Sequence, residues 1–308
     1  MKRFPFKWTA AFAVWFTATV AIVAANIYYS IPTPETIKGC FVTKMHNVEL
    51  CPKKGNYVPL SQISPHVRNA ILVSEDTGFY SHKGFEFEEL KESLRVNWER
   101  GTFARGGSTI TQQLARNMFL SSEKSLLRKV KEAIITYKLE ETLSKNEILE
   151  RYLNVVEFGK DIYGIKAAAR HYFNKSPADL SVLESSYLAF LLPSPVKYSS
   201  SYYKGSLTKF GFKRMHQILF RLFSYQRISP EEYEVSKSMI KAFPWRPSDL
   251  AAVESPSAAE AAIEDALARE PIEGDETGEP MEQYEDVSED EFKADTSSPL
   301  SISDPEEI

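Results

Sequence analysis

The stretch Ser144-Lys145-Asn146-Glu147-Ile148-Leu149-Glu150-Arg151-Tyr152-Leu153-Asn154 sets the fold class. Ser144 stands three residues before Glu147, the capping-box pattern in which a hydroxyl and a carboxylate satisfy orphan N–H groups at a helix start. Behind it Ile148, Leu149, Tyr152, Leu153 and Val156 recur at helical spacing, a stripe that belongs in a core. The same signature recurs at Ser181 with Glu184 and at Ser229 with Pro230 and Glu232, so helices are predicted to begin near 145, 182 and 230. Leu183, Tyr187, Leu188 and Leu191 supply a second apolar stripe. Phe212, Met215, Ile218, Leu219 and Leu222 supply a third, read as the element that closes the domain. Sustained alternation occurs only around Cys40 to Val58, and there is neither an internal repeat nor a glycine-rich phosphate loop. From Ser61 to about Phe243 the chain is therefore read as mainly α.

Outward from this domain the composition changes at both ends. No charged residue lies between Lys7 and Glu35, and residues 8–29 are apolar apart from Thr9, Thr17, Thr19 and Asn26. About 20 apolar residues span a bilayer core, so a single transmembrane anchor is expected there. Lys2, Arg3 and Lys7 precede it, which leaves residues 1–7 cytoplasmic and the remainder outside; Trp8, Tyr28 and Tyr29 fit interfacial belts. The competing reading is a cleaved leader ending at Val23 to Ala25, and it exports the chain equally. Residues 30–60 are expected to form a membrane-proximal linker or hairpin, 61–245 the main folded domain, and 246–308 an acidic, disordered tail. From Asp249 onward there are 20 Asp or Glu against Arg269 and Lys293 alone. Residues 1–248 carry 35 Lys and Arg against 22 Asp and Glu, a formal +13 hidden inside an overall −5. A basic, exported, membrane-tethered domain calls for an anionic partner, of which lipid phosphates are the nearest; no nucleic acid is expected. The tail reads as a solvated spacer or as a segment that folds back on the basic domain. Cys40 and Cys51, the two cysteines, are left as a disulfide or as two thiols, and with His46 and His82 they show no metal-ligand spacing.

Three stretches break the pattern of core and surface. Glu75-Asp76, followed by Phe79, Tyr80, His82 and Phe85, puts an acid beside apolar surface, a setting that raises a carboxyl pKa and suits general acid–base work. A lone carboxylate there would also serve as a helix-end acid. Arg105-Gly106-Gly107-Ser108-Thr109-Ile110-Thr111-Gln112-Gln113-Leu114-Ala115-Arg116 offers glycines for close backbone approach and hydroxyls and amides for sugar or phosphate oxygens, and as composition alone it is a loop entering a capped helix. Lys124, Arg128 and Glu132 then fall on one helical stripe beside Lys129, with Leu127, Val130, Ile134 and Tyr137 on the opposite face. The ordinary reading of that stripe is a salt-bridged solvent face.

In this order the motifs resemble the peptidoglycan glycosyltransferases, family 51 of the glycosyltransferases, in their monofunctional form. The resemblance covers about Ser61 to Phe223 and includes Arg128-Lys129-Val130-Lys131-Glu132, Glu147 to Asn154 and the stretch from Ala167 to Pro195. It implies a lysozyme-like helical fold with a small, partly membrane-embedded lobe, and polymerisation of lipid II into glycan strands. Glu75 would be the base that deprotonates the acceptor 4-hydroxyl, and Glu132 a second essential carboxylate. Asp76, Phe79, His82, Gly107, Ser108, Thr109, Gln112 and Gln113 would bind substrate. Arg116, Lys124, Arg128 and Lys129 would neutralise the departing diphosphate. No cofactor is implied, and Mg2+ or Mn2+ assistance at the diphosphate is left open. Penicillin-binding transpeptidases are the implied partners. Arg116 and Lys124 stand where Lys and Arg are usual, and Ser199-Ser200-Ser201 replaces the usual Asn-Pro end. The alternatives are a glycan-cleaving enzyme of lysozyme type and a membrane-tethered scaffold.

Overall fold

The computed structural model describes residues 6–52, 54–86, 91, 95, 107–123 and 125–245; the expected acidic tail and Lys124 lie outside them. Helix α1 (Phe6–Tyr28) holds an 18-residue window, Ala11–Tyr28, long and apolar enough to cross a membrane and not buried by the rest of the chain. The short α2 (Pro34–Lys38) follows, capped by Thr33. Then β1 (Phe41–Val42) and β2 (Glu49–Leu50) pair antiparallel, and a disulfide between Cys40 and Cys51 closes their hairpin. Ile37, Leu50, Val58 and Leu60 are buried in the same cluster as the helices that follow, so the segment between anchor and domain is packed into the fold.

The helices are α3 (Pro65–Glu75), α4 (Ile110–Phe119), α5 (Leu126–Thr142), α6 (Lys145–Val155), α7 (Gly164–Phe173), α8 (Val182–Leu191), the short α9 (Pro195–Tyr198) and α10 (Ser200–Lys204), α11 (Lys209–Ser224) and α12 (Pro230–Met239). A second small hairpin, β3 (Glu157–Gly159) with β4 (Ile162–Tyr163), enters α7. The three predicted starts fall at Lys145, Val182 and Pro230, each behind a complete capping box. Thr109 and Gln112 make a fourth at the start of α4.

Every residue of α8 is buried, so the stripe read in the sequence is one side of a helix that is enclosed all round. Helix α3 lies against α8 and α11, while α4 lies against α5 and α6. Helix α11 buries Met215, Ile218, Leu219 and Leu222 but does not close the domain: α12 packs on it, and Phe243 and Trp245 are still core residues. Two side chains of α6 pin the membrane-proximal segment. Glu150 accepts from the Tyr57 hydroxyl (2.6 Å) and the Leu60 N–H (2.7 Å), and the Asn154 amide bonds the Val58 N–H (2.8 Å) and carbonyl (2.9 Å).

Candidate active site

Glu75 is the last residue of α3 and is half-buried. Its Oε2 accepts a hydrogen bond from Gln113 Nε2 of α4 at 2.9 Å. The amide is itself fixed from behind, because the Tyr152 hydroxyl of α6 donates to Gln113 Oε1 at 3.0 Å. Burial holds the Tyr152 phenol well above its usual range, so it stays protonated and keeps donating. With the amide oxygen committed to Tyr152, the NH2 must face the carboxylate. Burial pushes the Glu75 pKa up; the Gln113 bond and the charges of Arg214 and Arg116 oppose the rise, and Asp76 adds to it. This is the setting of a carboxylate that binds a proton more readily than an exposed one does.

The neighbouring predicted residues do a different job. Asp76 is 4% exposed, and its two oxygens accept from His82 Nε2 (2.8 Å) and from the Ile110 N–H (2.9 Å), one of the orphan donors at the start of α4. His82 Nδ1 accepts from the Gly84 N–H at 3.0 Å, which leaves the ring proton on Nε2, pointing at Asp76. Gly84 has φ +84°, and a Cβ there would lie 2.8 Å from Thr136 Cγ2 of α5, so this turn needs glycine. Asp76 and His82 thus clamp the end of α3 to the start of α4, and the clamp is what brings Gln113 to Glu75. Asp76, His82 and Glu86 form a three-residue group whose potential metal-ligand atoms all lie within 4.8 Å of one another. The Asp76 oxygens and His82 nitrogens in that group already carry internal hydrogen bonds.

Phe79 was expected to contact substrate; it is fully buried, with the Lys145 ammonium 4.6 Å from its ring centre, and is a core side chain. Thr109 and Gln112 were likewise expected to line the cleft. Thr109 is 4% exposed and caps α4 while donating to the Gly84 carbonyl (2.8 Å), and the Gln112 amide oxygen accepts from the Thr109 N–H (3.0 Å), so the Thr109 hydroxyl and the Gln112 oxygen are engaged at the turn. Gly107 and Ser108, half-buried at the entry to α4, remain placed for ligand contact, as does the half-buried Arg116 one turn beyond Gln112.

Helix α5 brings the second carboxylate. Glu132 is 2% exposed and accepts from Arg128 Nη1 at 2.9 Å and from Lys129 Nζ. The stripe read as a solvent face is therefore turned inward at Glu132, and the apolar residues are turned out: Leu126 is 88% exposed, Tyr137 58% and Val130 47%. Lys131 on this helix meets Asn26 of α1. Lys124 lies outside the described residues. Two contributors to the Glu75 site were not singled out in the sequence. Tyr152 reads there as one more core aromatic, and Arg214 as a polar position on α11.

A helical domain that withdraws one carboxylate from water and sets a second among cations is equipped for acid–base chemistry on an anionic substrate. The chain belongs to the transglycosylase family, whose model, described as Transglycosylase, matches residues 43–222. It is similar to the biosynthetic peptidoglycan transglycosylase of Dechloromonas aromatica (strain RCB), 47% identical over 145 residues, which is 47% of this chain and 63% of the relative. The protein of the same name from Nitrosospira multiformis is 45% identical over 145 residues, with the same shares of both chains. That from Cupriavidus metallidurans is 44% identical over 195 residues, 60% of this chain and 84% of the relative. The aligned part thus spans less than two thirds of the first two relatives.

Proposed function

We propose that this chain is a peptidoglycan glycosyltransferase that polymerises lipid II, transferring a lipid-diphosphate-linked growing glycan onto the 4-hydroxyl of the incoming unit. The observation that carries the reading is the Glu75 site: a carboxylate whose pKa burial raises, held among the described residues by the Gln113 amide, with the cations Arg116 and Arg214 acting on it from two helices. Glu75 takes the hydroxyl proton, the freed oxygen attacks the anomeric carbon, and inversion there gives a β-1,4 bond and expels the polyprenyl diphosphate. Arg116, Lys124, Arg128 and Lys129 neutralise the leaving group, and Glu132 fixes the directions of Arg128 and Lys129. The reaction needs no cofactor; Mg2+ or Mn2+ would act, if at all, on the diphosphate. A glycan-cleaving enzyme has no diphosphate to hold, and the cations around both carboxylates speak for synthesis.

The same reading covers the anchor. Helix α1 holds the chain in the bacterial cytoplasmic membrane, N-terminus inside, with the domain on the outer face, where penicillin-binding transpeptidases would cross-link its product. The outward apolar side chains of α5, next to α1, suit contact with lipid. The test is incubation of the detergent-solubilised full chain with labelled lipid II and gel separation of products. Glycan polymer is expected; release of muropeptides from purified cell wall, without polymer, would replace this reading with a hydrolase.

A further inference from the structure

The hairpin between anchor and domain brings a further element to the site. The last carbonyls of a helix lack intrahelical partners. At the end of α4 two of them are taken by the hairpin turn, where the Lys44 N–H donates to the Met118 carbonyl (3.0 Å) and the Met45 N–H to that of Asn117 (3.4 Å). The Phe41 ring stacks on Phe119 with 5.2 Å between centres, and the Cys40–Cys51 disulfide closes the base of the hairpin. The turn is fixed by the buried Thr43, whose hydroxyl accepts from the Val48 N–H (2.9 Å), and by Asn47 in the left-handed region at φ +55°. His46, at the tip, is thereby delivered to the last turn of α4, where Arg116 stands.

The half-buried imidazole lies against the Tyr163 ring, with 4.7 Å between centres and 29° between planes, which sets its orientation. Arg116 acts electrostatically on His46 and on Glu75 alike, so one guanidinium faces both. Burial first and the Arg116 charge second hold the His46 pKa below its usual 6.5, and the resting ring is neutral at neutral pH. The other titratable groups around it are Tyr163, the Glu157 and Asp161 that act on Tyr163, and Lys44 and Glu49 of the hairpin, the latter paired with Lys54.

A charged imidazole beside a guanidinium is repelled by it unless an anion lies between them. A phosphate oxygen held by Arg116 removes that repulsion, and the ring then takes a proton from solvent and donates a charge-assisted hydrogen bond. We propose that His46 is a further diphosphate-binding residue, which holds an oxygen of the lipid-linked diphosphate beside Arg116. This rests on the transfer reading above, in which that diphosphate departs as Glu75 takes the acceptor proton. The leaving group gains negative charge as the anomeric bond breaks, so the His46 contact strengthens in the transition state and speeds the step.

The test compares polymerisation by the full chain in neutral detergent, as wild type, His46→Gln and His46→Lys, with saturating labelled lipid II on either side of the histidine titration range. The wild type should exceed His46→Gln about tenfold at about pH 6 and less than about twofold at about pH 9, because the charge-assisted contact is lost with its proton. His46→Lys, cationic at both, should restore most of the rate and lose the dependence. A ratio of wild type to His46→Gln that is the same at both pH values overturns the proposal, as does a His46→Lys no faster than His46→Gln.

A second arm needs no turnover. Farnesyl diphosphate is titrated calorimetrically, in two buffers of different protonation enthalpy, into Glu75→Gln and into the same protein with His46→Gln added. Binding is expected to be tighter and to take up more protons where His46 is present. Equal affinity and equal proton uptake overturn the assignment. If His46→Gln instead loses binding to phosphatidylglycerol vesicles while rate and calorimetry are unchanged, the ring holds a bilayer phosphate and the assignment falls. Absence of polymer with the calorimetric difference intact counts against the transferase reading alone.

Discussion

Glu75 and Glu132 are both carboxylates drawn out of water, and the groups that hold them differ in kind. Among the described residues, Glu75 accepts one hydrogen bond, from a neutral amide at 2.9 Å, and Arg214 and Arg116 act on it electrostatically. Glu132 meets Arg128 and Lys129 directly, both from its own helix. Desolvation without a contacting cation leaves a carboxylate able to bind a proton, whereas desolvation with two contacting cations makes it a fixed counter-ion that aims them. Burial alone therefore does not tell a proton-binding carboxylate from a counter-ion; the identity of the nearest donor does.

The comparison breaks most directly at Glu75. Glu75→Gln should lower the polymerisation rate about 100- to 10,000-fold, the usual worth of a positioned base, while the protein still folds. A turnover near wild type in a single-turnover assay would move the base elsewhere. At the other carboxylate, Arg128→Ala should slow transfer about 100-fold, as loss of a donor to developing negative charge does elsewhere. Its melting temperature should fall by about 4–8 °C, the equivalent of ~2 kcal/mol for a buried carboxylate that loses one cation and keeps Lys129, in a domain of this size. A larger fall in a calorimetric scan, with activity spared, would make the pair purely structural.

A smaller effect is expected where the amide is removed. Gln113→Ala takes away the bond that opposes the rise in the Glu75 pKa, so the acid limb of the pH–rate profile should move to higher pH, with about a tenfold loss at a pH on that limb. An unmoved limb would show that another group titrates there. The smallest effect lies in stability. The Glu75 pKa is raised on folding above its ordinary 4.5, so its stabilising contribution is complete below pH 4.5 and is lost as pH rises through the folded value. Glu75→Gln should consequently melt no lower than wild type at neutral pH and up to a few degrees higher, and this gain should vanish in acid. A neutral-pH melting temperature well below wild type would mean that the ionised carboxylate stabilises the fold, contrary to its burial.

The capping boxes at Ser144, Ser181 and Ser229 were legible because a cap is settled by residues three apart. Glu147 carries that pattern, and its Oε2 accepts from the Ser144 N–H at 2.8 Å. Thr109 and Gln112 carried the same local signature, but their place in a motif rich in ligand-binding side-chain types drew them into the candidate cleft. Phe79, Asp76 and His82 show a related point: a motif names residues that must be present and does not say whether they touch substrate or hold the loop that does, and here they are packed or hydrogen-bonded within the fold. Tyr152 and Arg214 gave no usable signal, since a tyrosine on a core stripe and an arginine on an amphipathic helix are ordinary.

By itself the sequence determined what local geometry and composition control: the helical class, three helix starts, an apolar span at the N-terminus and the charge contrast between domain and tail; it also offered Glu75 as a candidate base. Periodicity and caps are short-range, so they survive without knowledge of the partner. Tertiary structure alone decided which side chains converge on that carboxylate, because Gln113 lies 38 positions from Glu75 and Tyr152 another 39 beyond Gln113, and no local pattern spans such separations. It also decided which face of α5 is inside. The amphipathic pattern is symmetric between a solvent face and a buried ion cluster, and only the helices packed against Glu132 remove the water that would distinguish them.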